Sequence, residues 1–290
     1  MDHQHTTIAG VLRAGKNRLS GAGAESPGLD AEVLLRHVLN HDRAGLFARL
    51  ADPIEPAALD EYLALIEERA GGAPVAYLTG EREFMGLPFM VGPGALIPRP
   101  ETEILVEWAL TWLGRRPGAA IVDVGTGSGA IALSLAALLP PDPKWRITAV
   151  DLSAAALAIA AQNCARLGLD HRVTLVQGSL LAPIRDPVDL VLANLPYLRP
   201  AQIAANPRLA AEPRLALDGG PDGLDLIRLL LRDAPRIVAP GGAIALEIDP
   251  GQRHTAGELA RDAFPEASID VLPDLAGLDR HVVIALEPRS

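Results

Sequence analysis

The sequence predicts an α/β protein in which a parallel sheet, covered by helices on both faces, follows a bundle of helices. Three observations predict it. Residues 1–82 carry helical periodicity only. From Glu101 onward, helix patterns alternate with short, continuous apolar runs, the signature of buried parallel strands. Between them, Glu83–Pro100 is broken by Gly86, Pro88, Gly92, Pro93, Gly94, Pro98 and Pro100, which reads as a hairpin linker. The predicted domains are therefore a helical unit over 1–82, a linker over 83–100 and a sheet domain over 101–290.

In the helical part, Leu59, Tyr62, Leu63 and Ile66 recur at i, i+3, i+4 and i+7 within Pro56–Ala70, with Pro56 at the start and Gly71 just past the end. Thr6 or Thr7 is placed to cap a helix through Leu12 and Leu19, and Asp30 to cap one carrying Leu34, Leu35, Val38 and Leu39. In the sheet domain, the predicted order is helix Glu101–Leu113, strand Ala120–Val124, helix Gly129–Leu139, strand Arg146–Asp151, helix Ser153–Leu167, and strands Val173–Gln177 and Val188–Asn194. A helix Leu224–Val238, strand Ala243–Glu247, helix Gln252–Phe264 and strands Ser268–Leu272 and His281–Leu286 complete it.

With 290 residues, 49% of them hydrophobic and 21% charged, the chain has material for two domains with real cores. Its apolar runs, such as Ile131–Leu139, fall short of the roughly 18 residues of a membrane span. The segment Met1–Ala9 has no basic stretch leading into an apolar one, so a cytoplasmic location is expected. Cys164 is the single cysteine and can form no internal disulfide. A formal charge of −10 and 3% aromatic residues argue against a broad basic or stacking surface for nucleic acid.

The strand Ala120–Val124 runs into Asp123-Val-Gly125-Thr126-Gly127-Ser128-Gly129 and then a helix. Such glycines allow a tight turn and close approach of a ligand, and the helix start offers free N–H groups. Twenty-two positions past Gly129, the next strand ends in Asp151, placed to accept from both hydroxyls of a ribose. Gly125, Gly127 and Ala130 also satisfy the loose spacing of nicotinamide sites. The additional Gly129 and the acid Asp123 give the D-x-G-x-G-x-G form, which resembles motif one of class I S-adenosylmethionine (SAM) methyltransferases.

The fourth strand ends in Asn194-Leu195-Pro196-Tyr197, at the carboxyl ends of the strands, where doubly wound folds bind ligands. An amide or exocyclic amino nitrogen is a poor nucleophile because its lone pair is delocalised. Methylating it calls for acceptors that hold its N–H groups, and the Asn194 side-chain oxygen and the Leu195 carbonyl suit that task. Pro196 stiffens the turn, and the Tyr197 ring is expected to pack on a planar target group.

Taken with the segments EFMGLPFMVGPGALIPRPETE (Glu83–Glu103) and EPRLALDGGPDGLD (Glu212–Asp225), these motifs make essentially the whole chain resemble the release factor glutamine methyltransferases, the PrmC/HemK family. The resemblance implies a Rossmann-like methyltransferase that moves a methyl group from SAM to the side-chain amide nitrogen of the glutamine in the Gly-Gly-Gln loop of class 1 peptide chain release factors. It implies Gly125, Thr126, Gly127, Ser128, Gly129, Asp151, Ser179, Leu180 and Asn194 as cofactor-binding residues. Asn194, Leu195, Pro196 and Tyr197 are implied as the catalytic, substrate-binding turn. No metal, membrane or direct nucleic-acid contact is expected.

Two departures stand out. The family usually has proline where this chain has Leu195, a change that keeps the backbone carbonyl. It often has an acid and a large aromatic where this chain has Ser179 and Leu180. An adenine-N6 methyltransferase using the same pocket for a flipped base, and a SAM-binding module without turnover, are the alternatives. His37 and His41 stand four apart but lack a third ligand, and Cys164 reads as a packed residue. Arg99 and Glu101 are explained as well by an ion pair or a helix cap as by the site.

Overall fold

The computed structural model describes residues 7–288. Residues 1–6, which include the cap candidate Thr6 and most of the segment read for a leader, lie outside the described residues. The chain divides into two compact units between Gly80 and Glu81.

The first unit is helical: α1 (Ile8–Gly21), α2 (Pro27–Leu39), α3 (Arg43–Ala48), α4 (Pro56–Ala70) and α5 (Val75–Thr79). Thr7 caps α1, its Oγ1 accepting the Gly10 N–H at 3.3 Å. Helix α2 starts at Pro27, not after Asp30, because proline suits the first helical position. Asp30 instead sits in the first turn and ion-pairs with Arg69 of α4 at 2.8 Å. Leu19, Leu34, Leu35, Tyr62 and Ile66 form the core. Asn40 is left-handed (φ 49°) and ends α2, so His41 is off the helix and shares no face with His37. Among the described residues no acidic, histidine or cysteine cluster suits a metal.

The second unit opens with a hairpin, β1 (Glu81–Phe84) and β2 (Leu87–Met90), turning on Met85 and Gly86, both at positive φ (52° and 74°) as the tight hairpin turn requires. The hairpin starts two residues before the predicted linker and stops at Met90. Residues 91–99 are irregular because Pro93 and Pro98 donate no ladder hydrogen bond.

Then follow α6 (Pro100–Leu113), β3 (Ala119–Val124), α7 (Ala130–Leu138), β4 (Trp145–Asp151), α8 (Ala154–Arg166), β5 (Val173–Gln177), β6 (Val188–Ala193), α9 (Pro200–Ala205), α10 (Asp225–Asp233), β7 (Val238–Glu247), α11 (Arg253–Ala263), β8 (Ser268–Pro273) and β9 (Asp279–Ala285). The helix expected over Leu224–Val238 stops at Asp233, since Pro235 supplies no N–H, and a 3-10 turn hands the chain to β7. Strand β7 accordingly begins at Val238, ahead of the predicted Ala243, and its pairing with β6 is bulged near Gly241 and Gly242.

The seven strands lie in the order β5-β4-β3-β6-β7-β9-β8. Strands β3 to β7 are parallel, but β9 runs antiparallel to both β7 and β8, so the sheet is mixed at that edge. The short turn between β8 and β9 makes that pair antiparallel, and the insertion of β9 between β7 and β8 sets the mixed edge. Side chains of β3 alternate between faces. Ala119 and Ile121 pack with Leu105 and Leu113 of α6 and Leu133 of α7, while Val122 and Val124 pack with Ile227 of α10 and Ala256 of α11. The order reverses at β3, flanked by β4 and β6, which places the switch point of the sheet at their carboxyl ends. No helix among the described residues is long and apolar enough to cross a membrane.

Candidate functional site

The loop after β3 turns on three left-handed glycines, Gly125, Gly127 and Gly129 (φ 73°, 58° and 84°). The N–H groups of Gly125 and Thr126 donate to the Val150 carbonyl at 2.8 and 3.0 Å, fastening the loop to β4. At Gly129 a Cβ would lie 2.8 Å from Leu133 Cδ1, so glycine there lets α7 pack against its own start.

Asp123 lies beneath the loop and is fully buried. Its Oδ2 accepts from the Thr126 hydroxyl at 2.5 Å and from the Ala132 N–H at 3.2 Å, while its Oδ1 has no partner. Burial pushes the carboxyl up from 3.8 to about 7, against the pull of those two hydrogen bonds. The folded chain thus keeps a proton that the unfolded chain has released. Between about pH 4 and about pH 7 this residue lowers stability as pH rises, by on the order of a few kcal/mol in all. Asp123→Asn is expected to flatten that slope, read from denaturant midpoints of the two proteins across the same range; identical slopes would refute it.

Asp151, at the end of β4, accepts from the Gly127 N–H at 2.9 Å through Oδ2 and from the Ser153 N–H at 2.8 Å through Oδ1. Each carboxylate oxygen retains a further lone pair for a ligand. Leu180 stands at positive φ (48°), a strained conformation for a residue with a side chain, in a turn on the same side of the sheet.

Strand β6 lies beside β3 with Ala193 in register with Val124, so the Asn194 turn and the glycine loop leave the sheet side by side. Asn194 Nδ2 donates to Thr102 Oγ1 at 2.9 Å, and that hydroxyl donates to Glu247 Oε2 at 2.6 Å. The Tyr197 hydroxyl donates to Glu247 Oε1 at 3.1 Å. Burial, then the nearby Glu247 charge, pushes the Tyr197 phenol well above its ordinary value and keeps it protonated. Leu195 is buried, with Cδ2 only 3.0 Å from where a Cβ on Gly125 would sit. Its side chain thus packs the two turns together, where proline would offer less surface.

Behind the turn, the Leu198 N–H donates to the Leu217 carbonyl and the Gly219 N–H to the Leu198 carbonyl, at 3.0 and 2.9 Å. The Gln252 amide donates to the Tyr197 carbonyl at 2.9 Å and to the Asp222 carbonyl at 3.1 Å. A Cβ on Gly219 would fall 2.6 Å from the Pro196 carbonyl oxygen. The DGGPDG segment is therefore a backbone cradle for the turn.

One cavity is lined by Gly125, Thr126, Gly127, Ser128, Asp151, Ser179, Leu180, Asn194, Leu195 and Pro196. Gly129 and Tyr197 stand outside this lining: the first holds the start of α7, and the second turns its hydroxyl to Glu247. Leu152, Thr102 and Arg99 also line it. Arg99 ion-pairs with the buried Glu212, whose other oxygen accepts the Ile97 N–H at 3.1 Å, so the linker is tied to the cradle segment. The sequence alone assigns no site role to Thr102, Glu247, Glu212 or Gln252 individually. Glu247 had a visible signal, an acid closing an otherwise apolar strand.

The arrangement suits a nucleoside-bearing ligand. A built Cβ on Gly127 meets nothing within 4 Å, so that part of the loop is open to an approaching group. The carboxylate of Asp151 suits paired hydroxyls, and Leu152 and Leu180 offer apolar cover for a flat base. The fold and paired turns define a SAM-dependent methyltransferase of class I. Residues 121–211 match the family model described as methyltransferase domain, and residues 10–80 match the one described as PrmC N-terminal domain.

The chain is 47% identical to the release factor glutamine methyltransferase of Moorella thermoacetica, over 94% of this chain and 96% of that one. It is 43% identical to the enzyme of the same name from Deinococcus radiodurans, over 94% and 96%. A solved methyltransferase from Pyrococcus furiosus shares the fold, with a TM-score of 0.51 and 18% identity over 78% of this chain and 98% of that one. The chain belongs to the release factor glutamine methyltransferase family.

Proposed function

We propose that this protein methylates the side-chain nitrogen of the glutamine in the Gly-Gly-Gln loop of class 1 peptide chain release factors, in the cytoplasm, with SAM as donor. The observation that carries this reading is the shared cavity: the glycine loop with Asp151 and the acceptors of the Asn194 turn open on one space from adjacent strands. The helical unit, whose family match covers residues 10–80, is assigned to recognition of the release factor.

In this reading Gly125–Ser128, Asp151, Ser179 and Leu180 hold the cofactor, and Gly129 holds the loop in shape. When bound, SAM supplies an electrophilic methyl group on a sulfonium that becomes neutral once the methyl has left. The Asn194 side-chain oxygen and the Leu195 carbonyl accept the two N–H groups of the glutamine amide, which fixes the plane of the nitrogen and aims its lone pair. Positioning supplies the rate, and the displaced proton leaves to solvent or through the turn. Mass spectrometry on a class 1 release factor incubated with the protein and SAM tests this. One added methyl on the loop glutamine, absent from a Gln→Ala control, is expected; transfer to adenine instead of to glutamine would overturn it.

Asp151→Ala is expected to weaken SAM binding about ten- to hundredfold, since it removes charged hydrogen bonds worth about 1.5–3 kcal/mol. Part of that loss comes through the Gly127 N–H, which loses its acceptor. Unchanged affinity in titration calorimetry would reject the assignment.

A further inference from the structure

We infer that Thr102 and Glu247 are positioning residues that fix which end of the Asn194 side-chain amide faces the substrate. The inference rests on the proposed function and adds to it the device that makes Asn194 an acceptor.

Three elements contribute one link each: Thr102 from the first turn of α6, Glu247 from the end of β7, and Asn194 from the turn after β6. Glu247 is 1% exposed and accepts from two hydroxyls, Thr102 at 2.6 Å and Tyr197 at 3.1 Å. A threonine hydroxyl has a single proton. With that proton committed to Glu247, Thr102 Oγ1 can only accept, and what lies 2.9 Å away must be a donor. Of the two ends of the Asn194 amide, only the nitrogen is a donor. Reversing the amide would set its oxygen against the threonine lone pair, or would draw the proton back and strip a buried carboxylate of its donor. His281 Nε2 stands 3.7 Å from Glu247 Oε2, too far to replace the threonine as its donor.

The carboxylate therefore dictates the sense of the whole chain, and Asn194 Oδ1 is left to accept. A pocket so oriented takes a group that offers N–H, a primary amide, and rejects the corresponding carboxylate, so it tells glutamine from glutamate.

The test compares Thr102→Val with Thr102→Ser in the full-length protein, using a class 1 release factor as substrate. Thr102→Val keeps the shape and removes the hydroxyl; kcat is expected to fall about 10- to 100-fold with SAM affinity by calorimetry unchanged. Thr102→Ser restores the hydroxyl and is expected to recover to within about threefold of wild type. If Thr102→Val melts below the assay temperature, Thr102→Ala is read the same way. Wild-type kcat in Thr102→Val, equal losses in the serine and valine variants, or a parallel loss of SAM affinity would each overturn the inference. Failure of the wild-type protein to methylate the release factor would instead overturn the proposed function.

Discussion

Asn194→Ala is expected to lower single-turnover methyl transfer by at least about 100-fold while leaving SAM affinity within a few-fold of wild type. Asn194 lines the shared cavity and its side chain is held by Thr102; in the proposed reading alanine removes the acceptor and frees the space around the target nitrogen. The cofactor loop loses nothing directly, because its bonds run to Val150 and Asp151. Rapid-quench transfer assays and calorimetry on one preparation separate the two effects. Transfer at the wild-type rate, or a loss explained wholly by weaker SAM binding, would remove Asn194 from the acceptor site.

Gly223→Ala is expected to do comparable damage from outside the cavity. Gly223 is left-handed (φ 79°), and a Cβ on it would lie 2.1 Å from the Tyr197 carbonyl oxygen and 2.3 Å from Gln252 Nε2. Either the Asn194 turn or the cradle must move, and both are backbone. A stability loss of about 1–3 kcal/mol is expected together with loss of transfer. Gly127→Ala is the natural comparison: it is also left-handed, but with open space around it, so it carries the backbone cost of about 1–2 kcal/mol without a collision. Denaturant melts on both variants and transfer assays on Gly223→Ala decide. A Gly223→Ala protein that transfers like wild type would show that the turn keeps its shape unaided.

Much of the fold was legible because its signals are local. Continuous apolar runs gave the parallel strands, and Pro56 and Gly71 bounded α4 correctly. The misplaced boundaries fall where one residue overrides a pattern: Pro235 cuts α10 short, and Pro27 starts α2 early. The mixed edge of the sheet was not legible, since the direction of β9 depends on which neighbour it joins.

The glycine loop and the Asn194 turn could be read because each is contiguous and chemically unusual. The residues that support them could not: Thr102 and Glu247 are 145 positions apart and Arg99 and Glu212 113 positions apart, and pairing across such distances is settled by packing alone. Tyr197 shows the limit from the other side. Its ring is expected on the target group, but that its hydroxyl is held by Glu247, 50 positions away, is settled by packing.

The register of β3 with β6 carries a consequence for how such a protein can vary. Val124 and Ala193 are ladder partners, so the donor and acceptor halves of the site start from points about 4.8 Å apart, a spacing fixed by hydrogen bonds between backbones. In the proposed reading the sheet fixes the spacing at which the two halves of the site begin, and side chains such as Leu195 and Asn194 complete it. A turn that has leucine in place of proline, as at Leu195, still leaves the sheet from that fixed point.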